Sequence, residues 1–338
     1  MKLLVFFLFY TILPGIEVQE VQEAQDNNNQ TIRKLIRKKR ILGGEDVNPG
    51  TAIFMASLQR RSDRAHVCAG SLITLRHLIT TCSCVSHSYD SSSGLTTALP
   101  EGHIVIAGSA NNWQLEEAHT RNVSRFEADY RCRYNIIAGM WEYNIGYITV
   151  SHAYEFMDEK LGLIKNLHHT QYEFDKDFAA LMAEKELQEG GKEYCHVYGW
   201  GASTKTKNEE GTFDVGGFTA QLKLKAVQHI NQISCKARIC GIGNGACTYE
   251  LEPNKCFCMV SAGMRDGPLC DADNGTPLMC KDRLWGVGEM LFECGLVKAS
   301  LFFKLDIDSI NHYIFSSATF PKIDYLLIFI LAAFITLQ

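Results

Sequence analysis

The chain has 338 residues, 13 cysteines and a formal net charge of −5, with a pI of about 6.1. That length buries a full core, as one large all-β domain or two small ones, and the acidic balance gives no basis for nucleic-acid binding. So many cysteines exclude an ordinary reduced cytosolic enzyme and point to a medium-sized secreted domain with internal disulfides; the odd count leaves one thiol free or bound to another chain.

In chain order, Lys2 precedes the apolar run Leu3 to Leu13, which Pro14-Gly15 closes. A positive start, a short hydrophobic stretch and a small-residue exit predict a cleaved signal peptide over residues 1–16. Residues 17–40 are rich in Gln, Glu and Asn, lack cysteine and read as a disordered pro-segment. They end in Arg37-Lys38-Lys39-Arg40. Behind an export signal, this basic run reads as a convertase site rather than a solvated charge patch or nuclear signal. Asn29-Gln30-Thr31 is a candidate glycosylation site in this stretch, and Asn122-Val123-Ser124 is another further on.

From Ala52 onward, short runs of β-branched and aromatic residues alternate with turn signals. Ile53-Phe54-Met55-Ala56-Ser57-Leu58, His103-Ile104-Val105-Ile106-Ala107-Gly108, Cys195-His196-Val197-Tyr198-Gly199-Trp200-Gly201 and Leu284-Trp285-Gly286-Val287-Gly288 predict a β-rich domain. Only Asp306 to Phe315 reads as a helix, with Ile307, Ile310 and Ile314 on one face. His168-His169 read as solvated loop residues. At the end, Tyr325 to Gln338 is apolar but shorter than the ~20 residues a spanning helix needs. With small Ser316-Ser317-Ala318 and a polar spacer upstream, residues 316–338 resemble a lipid (GPI) anchor signal, which would attach the protein to a membrane. A packing tail or a short, poorly spanning helix are the alternatives.

Two segments bear on chemistry: Leu78-Ile79-Thr80-Thr81-Cys82-Ser83-Cys84-Val85 and Cys270-Asp271-Ala272-Asp273-Asn274-Gly275-Thr276-Pro277. They resemble the active-site segments of the chymotrypsin-like (trypsin-fold, S1) serine proteases. Family members read threonine-alanine-alanine-histidine-cysteine in the first and glycine-aspartate-serine-glycine-glycine-proline in the second. The resemblance covers about residues 41–315. It implies an all-β fold of two six-stranded Greek-key barrels followed by a C-terminal helix. Against that family, residues 86–101 and 111–146 are long and irregular and read as surface loops beside the site.

The resemblance also implies site positions. Ser83 stands at the histidine, Asn274 at the nucleophile, and Asp177 in Lys176-Asp177-Phe178-Ala179-Ala180-Leu181 at the orienting carboxylate. Ala272 stands at the oxyanion glycine, whose backbone freedom it lacks. Pro268 falls near the aspartate that reads basic side chains, and Glu289-Met290-Leu291 aligns with the serine-tryptophan-glycine strand along which substrate lies. Ile41-Leu42-Gly43-Gly44 resembles the N-terminus freed by activation, so cleavage after Arg40 would let the Ile41 amine pair with Asp273. Such a pair acts as a latch, because an unpaired buried carboxylate is costly. The Asn274-Gly275-Thr276 glycosylation match is discounted, because it falls inside the fold and precedes Pro277.

The disulfides implied are Cys68 with Cys84, Cys195 with Cys280, Cys270 with Cys294, and Cys235 with Cys258 or Cys256, each stabilising by about 2–4 kcal/mol. Cys82, Cys132, Cys240, Cys247 and one of Cys256 and Cys258 have no template; Cys240 with Cys247 is the short-range pairing. A metal site lacks CxxC spacing, and neither metal nor cofactor is expected.

Acyl transfer needs a hydroxyl nucleophile, a base within reach and a group orienting that base. Ser83 cannot take a proton near neutral pH as an imidazole does, and the Asn274 amide is not a nucleophile. Losing either function alone costs about 10⁶ in rate. His66 and His77 lie on one side of Ser83 and His87 on the other; rescue by His87 would mean rebuilding the corner at Cys84. The expected function is therefore that of a secreted, inactive protease homologue acting by protein binding. It would serve as cofactor, decoy or scaffold for an extracellular partner, such as an active protease or its substrate, in a protease, immune or reproductive pathway. An endopeptidase with a rebuilt mechanism and a membrane-anchored adhesion or receptor module are the alternatives.

Overall fold

The computed structural model describes residues 22–25, 31–34, 44–90, 94–113, 116–117, 119–157, 160–201, 204–207, 213–216, 220–243, 245–262, 268–270, 272–289 and 299–317. Two units are distinguished, Met1–Lys38 and Lys39–Gln338. In the first, β1 (Gln22–Gln25) and β2 (Thr31–Lys34) pair antiparallel, with Gln22 opposite Lys34.

In the second unit, β-branched and aromatic runs form strands that close on themselves twice. After β3 (Glu45–Asp46) come β4 (Met55–Arg60), β5 (His66–Leu72) and β6 (His77–Thr80). A hairpin of β7 (Ser86–Asp90) and β8 (Gly94–Thr97) precedes β9 (His103–Ala107) and the long β10 (Thr120–Ala128). A second hairpin, β11 (Arg133–Asn135) and β12 (Met140–Glu142), leads to β13 (Gly146–Val150). The first barrel is closed in the order β10-β13-β6-β5-β4-β9. Leu58, Leu72, Leu78, Val105, Val123, Phe126 and Ile148 pack its interior. Closure leaves no open edge.

The second barrel takes β14 (Cys195–Gly199), β17 (Lys223–Ile230), β18 (Cys256–Ser261), β19 (Thr276–Cys280), β20 (Arg283–Glu289) and β21 (Ser300–Lys304). Its order is β14-β19-β20-β21-β18-β17; β14 pairs with β17 to close the ring, and β3 adds to the outside of β17. A side hairpin of β15 (Thr204–Lys207) and β16 (Phe213–Gly216) lies between β14 and β17. The architecture is thus the two six-stranded antiparallel barrels and C-terminal helix that the resemblance implies.

Among the described residues of the unit, the α-helices are α1 (Cys82–Val85), α2 (Gln171–Ala183), α3 (Gln232–Cys240) and α4 (Ile307–Ser317). The sequence reading anticipates only the last. α2 buries Phe174, Phe178 and Leu181 on one face, and the Thr170 hydroxyl caps it by accepting from Glu173 N. α3 is capped in the same way by Asn231 and buries Cys235 and Ile239. The described residues of 86–101 and 111–146 are more regular than the sequence reading expects: the first segment holds β7 and β8, and the second holds β10 and the β11–β12 hairpin. Among the described residues, no helix is long and apolar enough to cross a membrane. The hydrophobic tail from 318 lies outside them.

Disulfides join Cys68 to Cys84, Cys82 to Cys132, Cys195 to Cys280, Cys235 to Cys258 and Cys240 to Cys247. Cys270 is also disulfide-bonded, to a partner outside the described residues, as Cys294 is. Cys256 is the one free thiol among the described residues, and it is buried. It shares a face of β18 with Cys258, which is why the sequence alone leaves the choice between them open.

Candidate functional site

Ser83 sits in α1 between two disulfide-bonded cysteines, Cys82 and Cys84. β6 runs directly into this turn, and β6 pairs with β13, Thr80 opposite Gly146. The side chain that meets Ser83 must therefore come from the residues entering β13, and it is Asn144. Asn144 Oδ1 accepts from Ser83 N at 2.9 Å, and its Nδ2 donates to the Glu289 carboxylate. The backbone N–H can only donate, so the orientation of the amide is fixed and Glu289 is the acceptor. The Ser83 hydroxyl also faces Glu289 and donates to Thr81 Oγ1 at 3.0 Å.

Asp177 is not part of this cluster, which corrects the role implied for it. It lies on α2 with a half-exposed side chain, 3.2 Å from Arg283 Nη1 and 3.3 Å from His168 Nε2. The helix carries it along the flank of the second barrel, whereas Ser83 is served by the strand that follows β12. Asn144-Ile145-Gly146-Tyr147-Ile148 carries no carboxylate, so a search for an aspartate passes over it. His168 is also corrected. Its ring is buried, edge-on to Phe174 and Trp285 at 5.3 and 5.0 Å, rather than solvated.

The site does hold a carboxylate, supplied from the opposite barrel. Glu289, the last residue of β20, is 8% exposed. Burial pushes its carboxyl up to about 8, against the opposing pull of hydrogen bonds from Asn144 and Ser83. Tyr249 and Cys256 lie near it, and burial raises both well above neutral, Cys256 to about 12.

The segment around Asn274 is fixed from several sides. Asn274 O accepts from Ala69 N at 2.8 Å, and Gly275 N donates to Gly288 O at 2.9 Å. Gly275 has φ +84°, and a Cβ there would fall 2.1 Å from Ala69 O and Thr80 Oγ1. Asn274 is thereby set on the β5–β6 pair that leads to Ser83. Ala272 holds φ 66°, so this non-glycine residue keeps the left-handed backbone at a cost of about 1–2 kcal/mol. Its carbonyl accepts from His66 Nε2 at 3.0 Å, and His66 Nδ1 then accepts from the Ser57 hydroxyl at 2.7 Å. Burial drives the His66 imidazole down to about 4, so the ring is neutral and this tautomer is the one required. Sequence reasoning missed this tie, since nothing local links His66 to a loop 206 residues away.

Asp273 is fully buried and accepts from Gly201 N at 2.8 Å and Cys270 N at 3.0 Å. Pro268 is buried, and Asn122 is exposed on β10 rather than in a loop. His87 is exposed on β7; His77 is buried and bonded through Nδ1 to Thr74 Oγ1 at 2.7 Å. Arg40, Ile41, Met290, Leu291, Cys294 and Asn29 lie outside the described residues, so the structure does not place the implied Ile41–Asp273 latch. Among the described residues, no group of three or more histidine, cysteine or acidic side chains could hold a metal ion.

A family model described as Trypsin matches residues 41–135. Among solved structures, human heparin binding protein is 18% identical, with 82% of this chain and 97% of that chain covered and a TM-score of 0.55. A double mutant of the same human protein is 19% identical, with the same coverage and TM-score. At this identity the likeness bears on the fold, which is trypsin-like.

Proposed function

We propose that this chain is a catalytically inactive homologue of the trypsin-like serine proteases that acts by binding an extracellular protein. One observation carries the reading. At the positions where the family keeps its base, its orienting carboxylate and its nucleophile stand Ser83, Asn144 and Asn274, none of which can play that part, and the carboxylate beside Ser83 and Asn144 is Glu289 from β20. Removing one such group from a serine protease already costs about 10⁶ in rate. The scaffold around the cluster is nevertheless kept in detail, from the Gly275 contact to the Asp273 carboxylate. Five disulfides among the described residues fit an oxidising, extracellular setting. A binding role uses the scaffold without the chemistry.

The rebuilt-mechanism alternative would need Glu289 to activate the Ser83 hydroxyl. Burial shifts that carboxyl toward its neutral form, a poor base, and it already takes the Asn144 amide, while Thr81 Oγ1 competes for the Ser83 hydroxyl at 3.0 Å. Geometry therefore favours the inactive reading. The test is labelling of the mature protein with a fluorophosphonate. No adduct is expected under conditions that label trypsin stoichiometrically. A stoichiometric adduct that disappears in Ser83→Ala or Asn274→Ala would overturn the reading.

A further inference from the structure

A cavity of about 760 Å³ opens between the β7–β8 hairpin and the segment that joins β10 to β11, within the size range of small-ligand sites. Tyr89 and Leu95 line it from the hairpin, and Phe126, Tyr130, Arg131, Arg133 and Tyr143 line it from β10 onward. None of Ser83, Asn144, Asn274 and Glu289 borders it, so it is separate from the cluster described above.

The two guanidinium groups of this cavity are held in place with donors to spare. Arg131 Nε donates to Asp129 Oδ1 at 2.9 Å, and Nη2 donates to Asp129 Oδ2 at 2.8 Å and Asp306 Oδ2 at 2.6 Å. The rings of Tyr130 and Tyr143 stand 5.0 and 5.1 Å from its guanidinium carbon, in cation–π range. Arg133 Nε donates to Glu142 at 2.5 Å. Among the described residues, Arg131 Nη1 and both terminal nitrogens of Arg133 have no acceptor. The acids are already engaged: Asp129 also accepts from Arg131 N, and Glu127 pairs with Arg125 at 2.7 Å. Arg125, Arg131, Arg133 and Lys255 thus stand against Glu127, Asp129, Glu142 and Asp306, each in an ion pair, and their charges cancel.

These features select among ligands. An apolar ligand would bury the spare N–H groups unpaired. A carboxylate, sulfate or phosphate would set another negative charge beside Glu127, Asp129 and Glu142, whose cations are already matched. A neutral amide carbonyl takes the N–H groups without adding charge, and tyrosine ring faces suit the C–H faces of a sugar ring. We infer that this cavity is a binding site for a neutral saccharide carrying acetamido groups. The Arg131 and Arg133 N–H groups take the acetamido carbonyl, and the pyranose rings lie on Tyr89 and Tyr130. The inference does not depend on whether the Ser83 cluster is inactive.

The test is an NMR titration of the full chain with tri-N-acetylchitotriose. Binding is expected with a Kd of about 1 mM or tighter, changing less than about twofold between roughly 0.05 and 0.5 M salt. Maltotriose, which has the rings but no acetamido group, should bind at least tenfold more weakly. Tyr130 is 87% exposed, so Tyr130→Ala should leave the fold intact and weaken the probe at least tenfold. Tyr89→Ala should do the same, whereas Tyr172→Ala, on α2 and also exposed, should change nothing. No binding at about 10 mM probe, binding unaltered by Tyr130→Ala and Tyr89→Ala, or equal binding by maltotriose overturns the inference. Salt-sensitive binding confined to a sulfated heparin tetrasaccharide also overturns it, since that would mark an anion site. Fluorophosphonate labelling reads the Ser83 cluster alone, so this inference and the inactive reading fail separately.

Discussion

Replacing Glu289 by glutamine should make this protein more stable at alkaline pH, although the change removes a charged group from a hydrogen-bonded site. The carboxyl is buried between the barrels and accepts from Asn144, and its folded value is about 8 against an ordinary 4.5. An acid whose folded value is raised holds its proton more tightly in the folded state. Its contribution to stability is therefore full below about pH 4.5 and is lost as the pH rises through about 8. That difference corresponds to roughly 4–5 kcal/mol between the two ends of the window. Tyr249 and Cys256, the other titratable groups beside it, stay neutral throughout this range.

Glutamine matches the shape: its oxygen accepts from Asn144 and its amide donates to Ser83. Glu289→Gln should therefore match the parent near pH 5 and exceed it by a few kcal/mol at pH 8.5. Denaturant midpoints for both proteins from pH 5 to 9 give the difference curve. The difference matters because His66 and His229, both lowered to about 4 by burial, tilt the absolute curve the other way below pH 6.5. Parallel curves, or a glutamine variant less stable at pH 8.5, would refute the reasoning.

Three further changes separate the parts of the account. Asp177→Asn should cost no more than about 1 kcal/mol by thermal unfolding, because its partnership with Arg283 is half-exposed. It should also leave the Glu289-linked pH profile unchanged. Gly201→Ala places a Cβ 2.3 Å from the Asp273 carboxyl carbon, and the displaced loop should cost about 1–3 kcal/mol or more in denaturant unfolding. Removing Cys82–Cys132 as a double alanine variant releases a closure of 50 residues and should lower stability by about 4 kcal/mol in the chain-entropy picture.

Particular residues show how far the sequence could be read. The barrels were legible because strand-length apolar runs recur between turn signals, and α4 because Ile307 and Ile310 share a buried face. α2 was not, because its Asp-Phe-Ala-Ala-Leu stretch also fits a catalytic segment, and the order of the chain does not choose between them. Asn144 was hidden for the complementary reason: the family motif is found by its carboxylate, and here the carboxylate stands on β20 as Glu289. The Cys82–Cys132 bond and the His66–Ala272 contact are long-range products of hairpin and barrel closure, with no local signature.

The central claim is that the scaffold survives without its chemistry, and peptide turnover by the mature chain tests it most directly. The protein, with Ile41 verified as its N-terminus, would be incubated with a diverse peptide library and the products read by mass spectrometry. The account predicts no cleavage above that of a mock-purified control. Sequence-specific cleavage that is abolished by Ser83→Ala or Asn274→Ala would contradict it.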